Sequence, residues 1–258
     1  MMISEIDEAR DWLGNEVNCA ACVHELLLAT AKCKLMHACV NDRYARRIDR
    51  FFNWNQHEAN AYLNHPHFEV RAIAASHADI FLLAALLDDP DETVRWNAAR
   101  RLPRNRILKL RTDLHREVRI RIASRLDDSD LIVMMGDPDY YVRLVIARRI
   151  SPSLLTRFIH DEEAEVRRVV ARRVPVEWLF QMSADADATV RWEVAQRLAP
   201  DLLDRLLYDP DWRVRFEVAR RIPATQLSEL MEDADPLVCE MAQSRLIQRP
   251  SQIKTIAQ

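Results

Sequence analysis

A valine recurs at a fixed interval of 24 residues through most of the chain. An arginine follows each of them except the last, and the positions are Val70, Val94, Val118, Val142, Val166, Val190, Val214 and Val238. Self-similarity at a fixed period of this length is the signature of a repeat architecture, in which each unit buries its apolar face only against its neighbours. The period therefore predicts a stack of eight repeats with a continuous apolar interior.

Each repeat contains two apolar blocks, which predict two helices. The valine and the apolar residues four, five and eight positions later form one buried stripe of an α-helix. We expect an aspartate such as Asp89 or Asp209 to cap this helix, with the following proline at its first position. A later proline such as Pro152 ends the helix, so the second block has room only for a short, 3₁₀-like helix. In that block, Leu155 and Leu179 are predicted core residues.

Two columns of arginines accompany the repeat. The first column follows the valine and lies four residues after an aspartate, a spacing that favours ion pairs along a helix. These pairs are Asp91–Arg95, Asp139–Arg143, Asp187–Arg191 and Asp211–Arg215. The second column lies seven residues after the valine, where it would pair with aspartates of neighbouring repeats. We interpret both columns as scaffold, with a phosphate-binding groove as the alternative. The 31 acidic and 30 basic residues from position 64 onward argue against a groove.

The first 63 residues lie outside the repeat and contain four of the five cysteines. Cys19, Cys22, Cys33 and Cys39 have the spacing C-x₂-C-x₁₀-C-x₅-C, whose four thiolates suit either a tetrahedral zinc ion or an iron-sulfur cluster. Chemistry alone leaves both open and favours zinc slightly. Crowded cysteines in odd total number fit metal ligation in a reducing compartment better than disulfides. Cys239 is predicted to be a lone thiol in a helix.

A basic amphipathic helix is predicted directly after Cys39. The segment NDRYARRIDRFF places four arginines on one helical face, with an apolar face opposite that would pack on the first repeat. A basic face of this kind is usually only solvated, but it can also bind an acidic protein or nucleic-acid phosphates. The candidate partner-binding residues are Arg43, Arg46, Arg47 and Arg50.

The repeat pattern DPDxxVRxxVARRLPxxLLxxLxxD resembles that of the leucine-rich repeat variant family over roughly residues 65–247. The resemblance implies alternating α and 3₁₀ helices wound into a right-handed superhelix without strands. It also implies a [4Fe-4S] cluster, because an N-terminal four-cysteine segment of this kind is associated with such a cluster in that family. Its ligands would be Cys19, Cys22, Cys33 and Cys39. The HEAT-like repeats of bilin lyases share part of the pattern, but their longer period differs from the 24-residue spacing.

The fold class predicted is therefore all-α: a repeat solenoid at residues 64–258 behind a small iron-sulfur module at residues 1–63. With only two glycines, the chain has no phosphate-binding glycine loop and no GxGxxG fingerprint. No hydrolase motif is present either, so we expect a protein that is not an enzyme. No apolar stretch is long enough for a membrane helix, and we expect a cytoplasmic monomer.

Its predicted function is an interaction scaffold that binds a macromolecular partner, most simply a protein. The cluster would be structural or redox-responsive. The alternatives are a nucleic-acid-binding solenoid and an iron-sulfur electron-transfer or oxidoreductase subunit.

Overall fold

The computed structural model describes residues 8–247, which fold into α-helices and 3₁₀ helices. Within this range there is no β-strand, and isolated bridges join Arg10 to Glu16 and Lys34 to Ala38. The chain forms two compact units, residues 1–126 and 127–258. The α-helices of the first unit are α1 (Glu25–Ala29), α2 (Ala45–Trp54), α3 (Phe68–His77), α4 (Glu92–Arg101), α5 (Arg104–Ile107) and α6 (Arg116–Ala123). Those of the second unit are α7 (Asp128–Met134), α8 (Tyr140–Arg149), α9 (Ala164–Arg173), α10 (Ala188–Arg197), α11 (Trp212–Arg221) and α12 (Pro236–Ile247).

Short 3₁₀ helices occupy most of the second blocks of the repeats. The 3₁₀ helices of the first unit are Cys19–Ala21, Gln56–Tyr62, Ile80–Asp88 and Leu108–Thr112, and those of the second are Pro152–Phe158, Val176–Met182, Pro200–Leu206 and Ala224–Leu230. This alternation confirms the predicted all-α fold class. The right-handed winding and the domain boundary after residue 63 stay predictions.

Helix α7 stands where other repeats have a 3₁₀ helix. Its repeat, like the first repeat, lacks the proline that follows the first helix in others, but here Asp128 and Asp130 lie in the first turn, where the first repeat has no acidic residue. Carboxylates at this end of a helix interact favourably with the helix dipole, and no proline removes a backbone donor. The α form is therefore favoured at this position.

The core of each unit consists of the columns predicted from the repeat. Val142, Val166, Val190 and Val214 have no exposed surface, and the same is true of Leu155 and Leu179. Burying a leucine or valine side chain contributes about 1.5–3 kcal/mol. Because no single repeat can enclose these residues, their burial comes from stacking on the neighbouring repeats.

Four of the described repeat helices are capped by an aspartate, and it is not the aspartate predicted. The caps are Asp91, Asp139, Asp187 and Asp211, whose carboxylates accept bonds from backbone N–H groups of the first turn. The earlier aspartates Asp89 and Asp209 instead accept a bond from the N–H two residues on, at 2.9 Å in both cases. The proline between the two aspartates therefore precedes the helix.

The first arginine column binds the aspartate 18 residues later, so the partner predicted at four residues' distance is wrong. Each guanidinium donates from Nε and Nη2 to the two oxygens of one carboxylate, with distances of 2.6–2.9 Å. Arginine suits this geometry because its planar fork matches a carboxylate. The pairs are Arg71–Asp89 and Arg95–Asp113 in the first unit, and Arg143–Asp161, Arg167–Asp185, Arg191–Asp209 and Arg215–Asp233 in the second.

The last repeat carries Cys239 in this column, as a half-buried free thiol within α12. Its Sγ lies 3.0 Å from the carbonyl oxygen of Asp233, six residues earlier. In the preceding repeat, Nη1 of Arg215 donates to the carbonyl of Asp209, also six residues earlier, at 2.7 Å. The thiol thus replaces one hydrogen bond of the arginine.

The second arginine column caps the helix of the preceding repeat, and the aspartate partners predicted for it are wrong. Arg197 donates to the carbonyls of Ala171 and Val174 at 2.7 and 2.8 Å. Carbonyls at a helix C-terminus have no partner within their own helix, and a cation also complements the dipole there. The other members that bond carbonyls 26 or 23 residues earlier are Arg101, Arg125, Arg173, Arg221 and Arg245.

The predicted apolar face of the basic helix is confirmed. Ile48, Phe51 and Phe52 of α2 are buried, and α2 packs against α3 of the first repeat. At this junction, His77 Nε2 lies 2.8 Å from Asp49 Oδ1. The four-cysteine segment and the first repeats are therefore parts of one compact unit. None of the helices within residues 8–247 has the length and apolarity that a membrane crossing requires.

We expect Arg191→Ala to lower the free energy of unfolding by about 3–5 kcal/mol, because it leaves a buried carboxylate without its cation. The side chains of Arg191 and Asp209 are 11% and 3% exposed. Chemical denaturation followed by circular dichroism measures the change. The double variant Arg191→Met/Asp209→Leu should recover much of the loss.

The matched control is Arg168→Ala. Arg168 bonds Glu165 at 3.1 Å, but those side chains are 31% and 53% exposed. Exposed pairs of this kind contribute about 0–1 kcal/mol. Equal losses in Arg168→Ala and Arg191→Ala would contradict a structural role for the buried column.

Candidate metal centre

The first two cysteines lie on one tight turn. Cys19 begins a short 3₁₀ helix, which Asn18 caps by accepting a bond from the N–H of Ala20 at 3.0 Å. The N–H of Cys22 donates to the carbonyl of Cys19 at 3.3 Å and closes the turn. The hydrogen bonds of this turn therefore fix the backbone at both cysteines.

The third cysteine returns to the site through the loop after α1. The N–H groups of Lys32 and Cys33 both donate to the carbonyl of Leu27, at 2.7 and 3.2 Å. Ala31 in this loop has φ of 55°, a left-handed conformation that is unusual for a residue with a side chain. Asn55 stabilises the loop by donating from Nδ2 to the carbonyl of Lys32 at 2.7 Å.

Cys39 is the buried member of the set, with 8% of its surface exposed. Its N–H donates to the carbonyl of Arg47 in α2 at 3.1 Å. A turn closed by the N–H of Ala38 and the carbonyl of Lys34, at 2.8 Å, joins it to Cys33. The fourth thiol is thus attached directly to the helix that packs on the first repeat.

Cys22 accepts two hydrogen bonds at sulfur. The donors are the backbone N–H of His24 at 3.4 Å and Nδ2 of Asn41 at 3.3 Å. Such bonds stabilise a thiolate and raise the reduction potential of a cluster bound to it. The sequence analysis did not identify Asn41 as a donor to sulfur. The only indication in the sequence was an amide side chain two residues after Cys39.

The thiols lie close enough to one another to affect their ionisation. Burial is the main reason that the pKa of Cys39 is raised to about 11. Asp42 and the Cys22 and Cys19 thiols act in the same direction, and a backbone hydrogen bond from Asn41 opposes them. Burial and the same two thiols also raise the pKa of Cys33. Both groups are protonated at neutral pH unless a metal replaces the proton, so metal binding at this site releases protons.

The two nearby histidines have other partners. His24 is buried, and its Nε2 lies 2.6 Å from the hydroxyl of Tyr62. His37 is exposed, and its Nδ1 lies 2.9 Å from Nη1 of Arg50. Both arrangements fit neighbours of a metal centre that hydrogen-bond to other side chains.

The four cysteines supply the thiolates that either a cluster or a single zinc ion needs, and the two differ in how closely the sulfurs must approach one another. Within residues 8–247, no three His, Cys, Asp or Glu side chains converge tightly enough to hold one metal ion. A zinc site would need sulfurs about 3.8 Å apart, since each lies about 2.3 Å from the metal in a tetrahedron. A [4Fe-4S] cluster binds each thiolate to a different iron, so the four sulfurs need not meet at one point.

The predicted basic face is only partly present. Arg47 is buried, where it bonds Asp42 at 2.9 Å and lies over the ring of Tyr44. Its assignment to an exposed face is therefore wrong. The helix needs a cation there, because the Asp42 side chain has no exposed surface.

The other three arginines of the predicted face differ in their surroundings. Arg43 precedes α2 and its guanidinium lies over Tyr44, while Arg50 donates to the carbonyl of His37 at 2.9 Å. Arg46 is exposed. The structure thus does not bring the four arginines together on one solvent-facing surface.

Comparison with protein families identifies the module. Residues 9–61 match the family described as LRV protein FeS4 cluster. This segment contains all four clustered cysteines. The match implies a [4Fe-4S] cluster, in agreement with the predicted cofactor and against the zinc alternative. When bound, such a group supplies one-electron redox chemistry.

A curated relative covers part of the chain. An uncharacterized 27.7 kDa protein in the nifB 3′ region of Rhodobacter capsulatus is 47% identical over 96 residues. The aligned segment is 37% of this chain and 39% of that protein, so the chain spans well under half of the relative's length.

Replacing Cys19, Cys22, Cys33 or Cys39 with alanine should abolish the cluster, because each thiolate holds one of its irons. Anaerobically purified wild-type protein should contain about four irons and four sulfides per chain, by chemical analysis. Cys239→Ala is the control and should retain the cluster. Loss of iron in that variant, or full iron content in a variant of the four, would show that the ligand set is wrong.

Asn41→Ala tests the bond to sulfur at Cys22. Iron and sulfide content should be unchanged, while the midpoint potential from a redox titration should become more negative, since a donor to sulfur has been removed. Asn53→Ala is the control, because Asn53 bonds only Asp49 among the described residues. A potential that is the same in Asn41→Ala and wild type would contradict this role.

A solved structure extends the comparison to the repeats. The chain matches the structure titled "A leucine-rich repeat variant with a novel repetitive protein structural motif" at 42% identity and a TM-score of 0.84. The alignment covers 89% of this chain and 98% of that one. Identity at this level over nearly the whole of both chains includes the repeats as well as the cysteine module. The chain therefore belongs to the leucine-rich repeat variant family.

Proposed function

We propose that this chain is an iron-sulfur scaffold whose repeats bind a protein partner. The observation that carries the proposal is a set of large aromatic side chains left exposed on the repeats of the second unit. Its exposed aromatic residues are Tyr140, Tyr141, Trp178, Phe180, Trp192, Tyr208 and Trp212. Exposed aromatic groups in this number are typical of protein interfaces, where they supply large contact area at small entropic cost.

The arginine columns support a protein partner over nucleic acid. Both columns are engaged inside the repeats, one with carboxylates and the other with helix carbonyls. Those cations are not available to phosphates. Residues 127–258 contain 23 acidic and 18 basic residues, a balance that opposes binding to a polyanion.

Trp192 and Trp212 offer the sharpest test of this surface. They lie on α10 and α11, which pack against each other, and they are 37% and 41% exposed. Aromatic residues that are half covered by their own fold are rigid anchors, and rigid anchors lose little entropy on binding.

The setting of the relative suggests where to look for the partner. Its name records a gene position in the nifB 3′ region. Proteins encoded in the neighbourhood of nifB are therefore the first candidates to test against this chain.

The double variant Trp192→Ala/Trp212→Ala should weaken partner binding by at least tenfold, as expected when interface anchors are lost. Cluster-loaded protein would be used to capture partners from a native extract, and binding of each identified protein would then be measured with purified components. Iron content and helicity should not change.

Phe81→Ala is the matched control, because Phe81 is 92% exposed but lies on the first repeat. Capture that is the same in all three proteins would contradict the aromatic surface. Retention on DNA or RNA that falls steeply with salt, with no protein captured, would favour the nucleic-acid alternative.

A further inference from the structure

Large exposed apolar side chains lie between the cysteines along the chain. Val23 and Leu26 lie between Cys22 and Cys33 and are 86% and 81% exposed. Leu35 and Met36, between Cys33 and Cys39, are exposed as well. We refer to Val23, Leu26, Leu35 and Met36 as the apolar rim. Several large exposed apolar side chains within one short segment favour an interaction surface there.

The backbone holds the rim in a fixed form. Met36 has φ of 59°, a left-handed conformation that is costly for a residue with a side chain. The turn around it is nevertheless closed by two bonds to the carbonyl of Lys34, from His37 and Ala38, at 3.1 and 2.8 Å. Arg50 stabilises the same turn by donating to the carbonyl of His37. A rim built in this way is presented to a partner without first having to be ordered.

The charge of the rim is positive. Lys32 and Lys34 flank Cys33, both are exposed, and no carboxylate among the described residues pairs with either of them. Between residues 23 and 38 the only acidic residue is Glu25. Cations that have no partner within the fold attract an acidic surface and increase its rate of association.

These features select one kind of partner. Four apolar side chains make a small contact, and small interfaces are typical of transient redox encounters. A second copy of this chain would bring its own lysines against Lys32 and Lys34, so charge disfavours self-association. An acidic protein would meet both the apolar and the cationic parts of the surface.

We propose that the apolar rim, with Lys32 and Lys34, is the docking surface for an acidic one-electron carrier protein of the ferredoxin or flavodoxin class. The reduced carrier gives up one electron and the cluster of the module accepts it, with no bond made or broken. This goes beyond the partner binding proposed for the repeats, since it uses a different surface in the other compact unit.

The test is stopped-flow reduction of anaerobic, cluster-loaded protein by a reduced acidic [2Fe-2S] ferredoxin. The variants are Leu26→Ser and Lys34→Glu. Each should lower the second-order rate at low salt about tenfold or more, the size of effect expected when steering or docking is lost. Wild type should slow as salt rises, and Lys34→Glu should show little of this dependence.

Two matched variants control for position. Phe81→Ser changes an exposed apolar residue of the first repeat, and Arg106→Glu reverses an exposed cation of the second. Both should react like wild type. Reduction by dithionite and the iron content should be the same in every variant, which separates loss of docking from damage to the cluster.

Three outcomes would overturn the proposal: equal rates in Leu26→Ser, Lys34→Glu and wild type; reduction by a basic carrier as fast as by the acidic one; or a dimer that is lost on Leu26→Ser. Trp192→Ala/Trp212→Ala should leave the rate unchanged. The proposal for the apolar rim and the proposal for the aromatic surface of the repeats can therefore be refuted independently of each other.

Discussion

Within each compact unit, arginine side chains join neighbouring repeats in two chemically different ways. One column forms a desolvated fork with an aspartate 18 residues later, and the other closes the end of the preceding helix. Buried ion pairs contribute more to the choice of one arrangement than to net stability, because desolvation offsets much of their attraction. The apolar columns supply the burial energy, and the arginines fix the register in which those columns meet.

The fork between Arg215 and Asp233 makes the folded state sensitive to acid. The hydrogen bond from Arg215 lowers the pKa of Asp233 below its ordinary value. A carboxyl whose pKa is depressed on folding stabilises the protein above its unfolded pKa. This stabilisation is lost as the pH falls through the folded value.

Helix α2 connects the metal centre to the first repeat, through a backbone hydrogen bond on one side and helix packing on the other. Cys39 bonds the backbone of α2, and α2 packs on the helix of the first repeat. A segment of this size buries too little surface to be stable without support, and metal binding contributes directly to its folding. We therefore expect a bound cluster to stabilise α2, the helix on which the first repeat stacks.

Sequence alone predicted what depends on spacing within one repeat. The buried valine and leucine columns are examples. It failed where two candidates stood side by side, as with Asp89 and Asp91, since only the neighbouring arginine decides which aspartate is free to cap. It also failed for Arg47, whose burial depends on Asp42 folding back beneath it. The residue that a side chain contacts in the next repeat depends on how the repeats stack. The period of the sequence carries no information about that stacking.

The reach of the second arginine column has a consequence for how such a gene can change length. Each guanidinium meets carbonyls 26 and 23 residues back along the chain, one on either side of the 24-residue period. A duplication or deletion of one whole period gives every arginine an equivalent acceptor and every helix end an equivalent cap. An insertion of one residue inside a period would displace a donor from its acceptors and leave buried carbonyls without partners. Evolution of this array is therefore expected to proceed in whole repeats, with single-residue insertions confined to the loops that these bonds do not cross.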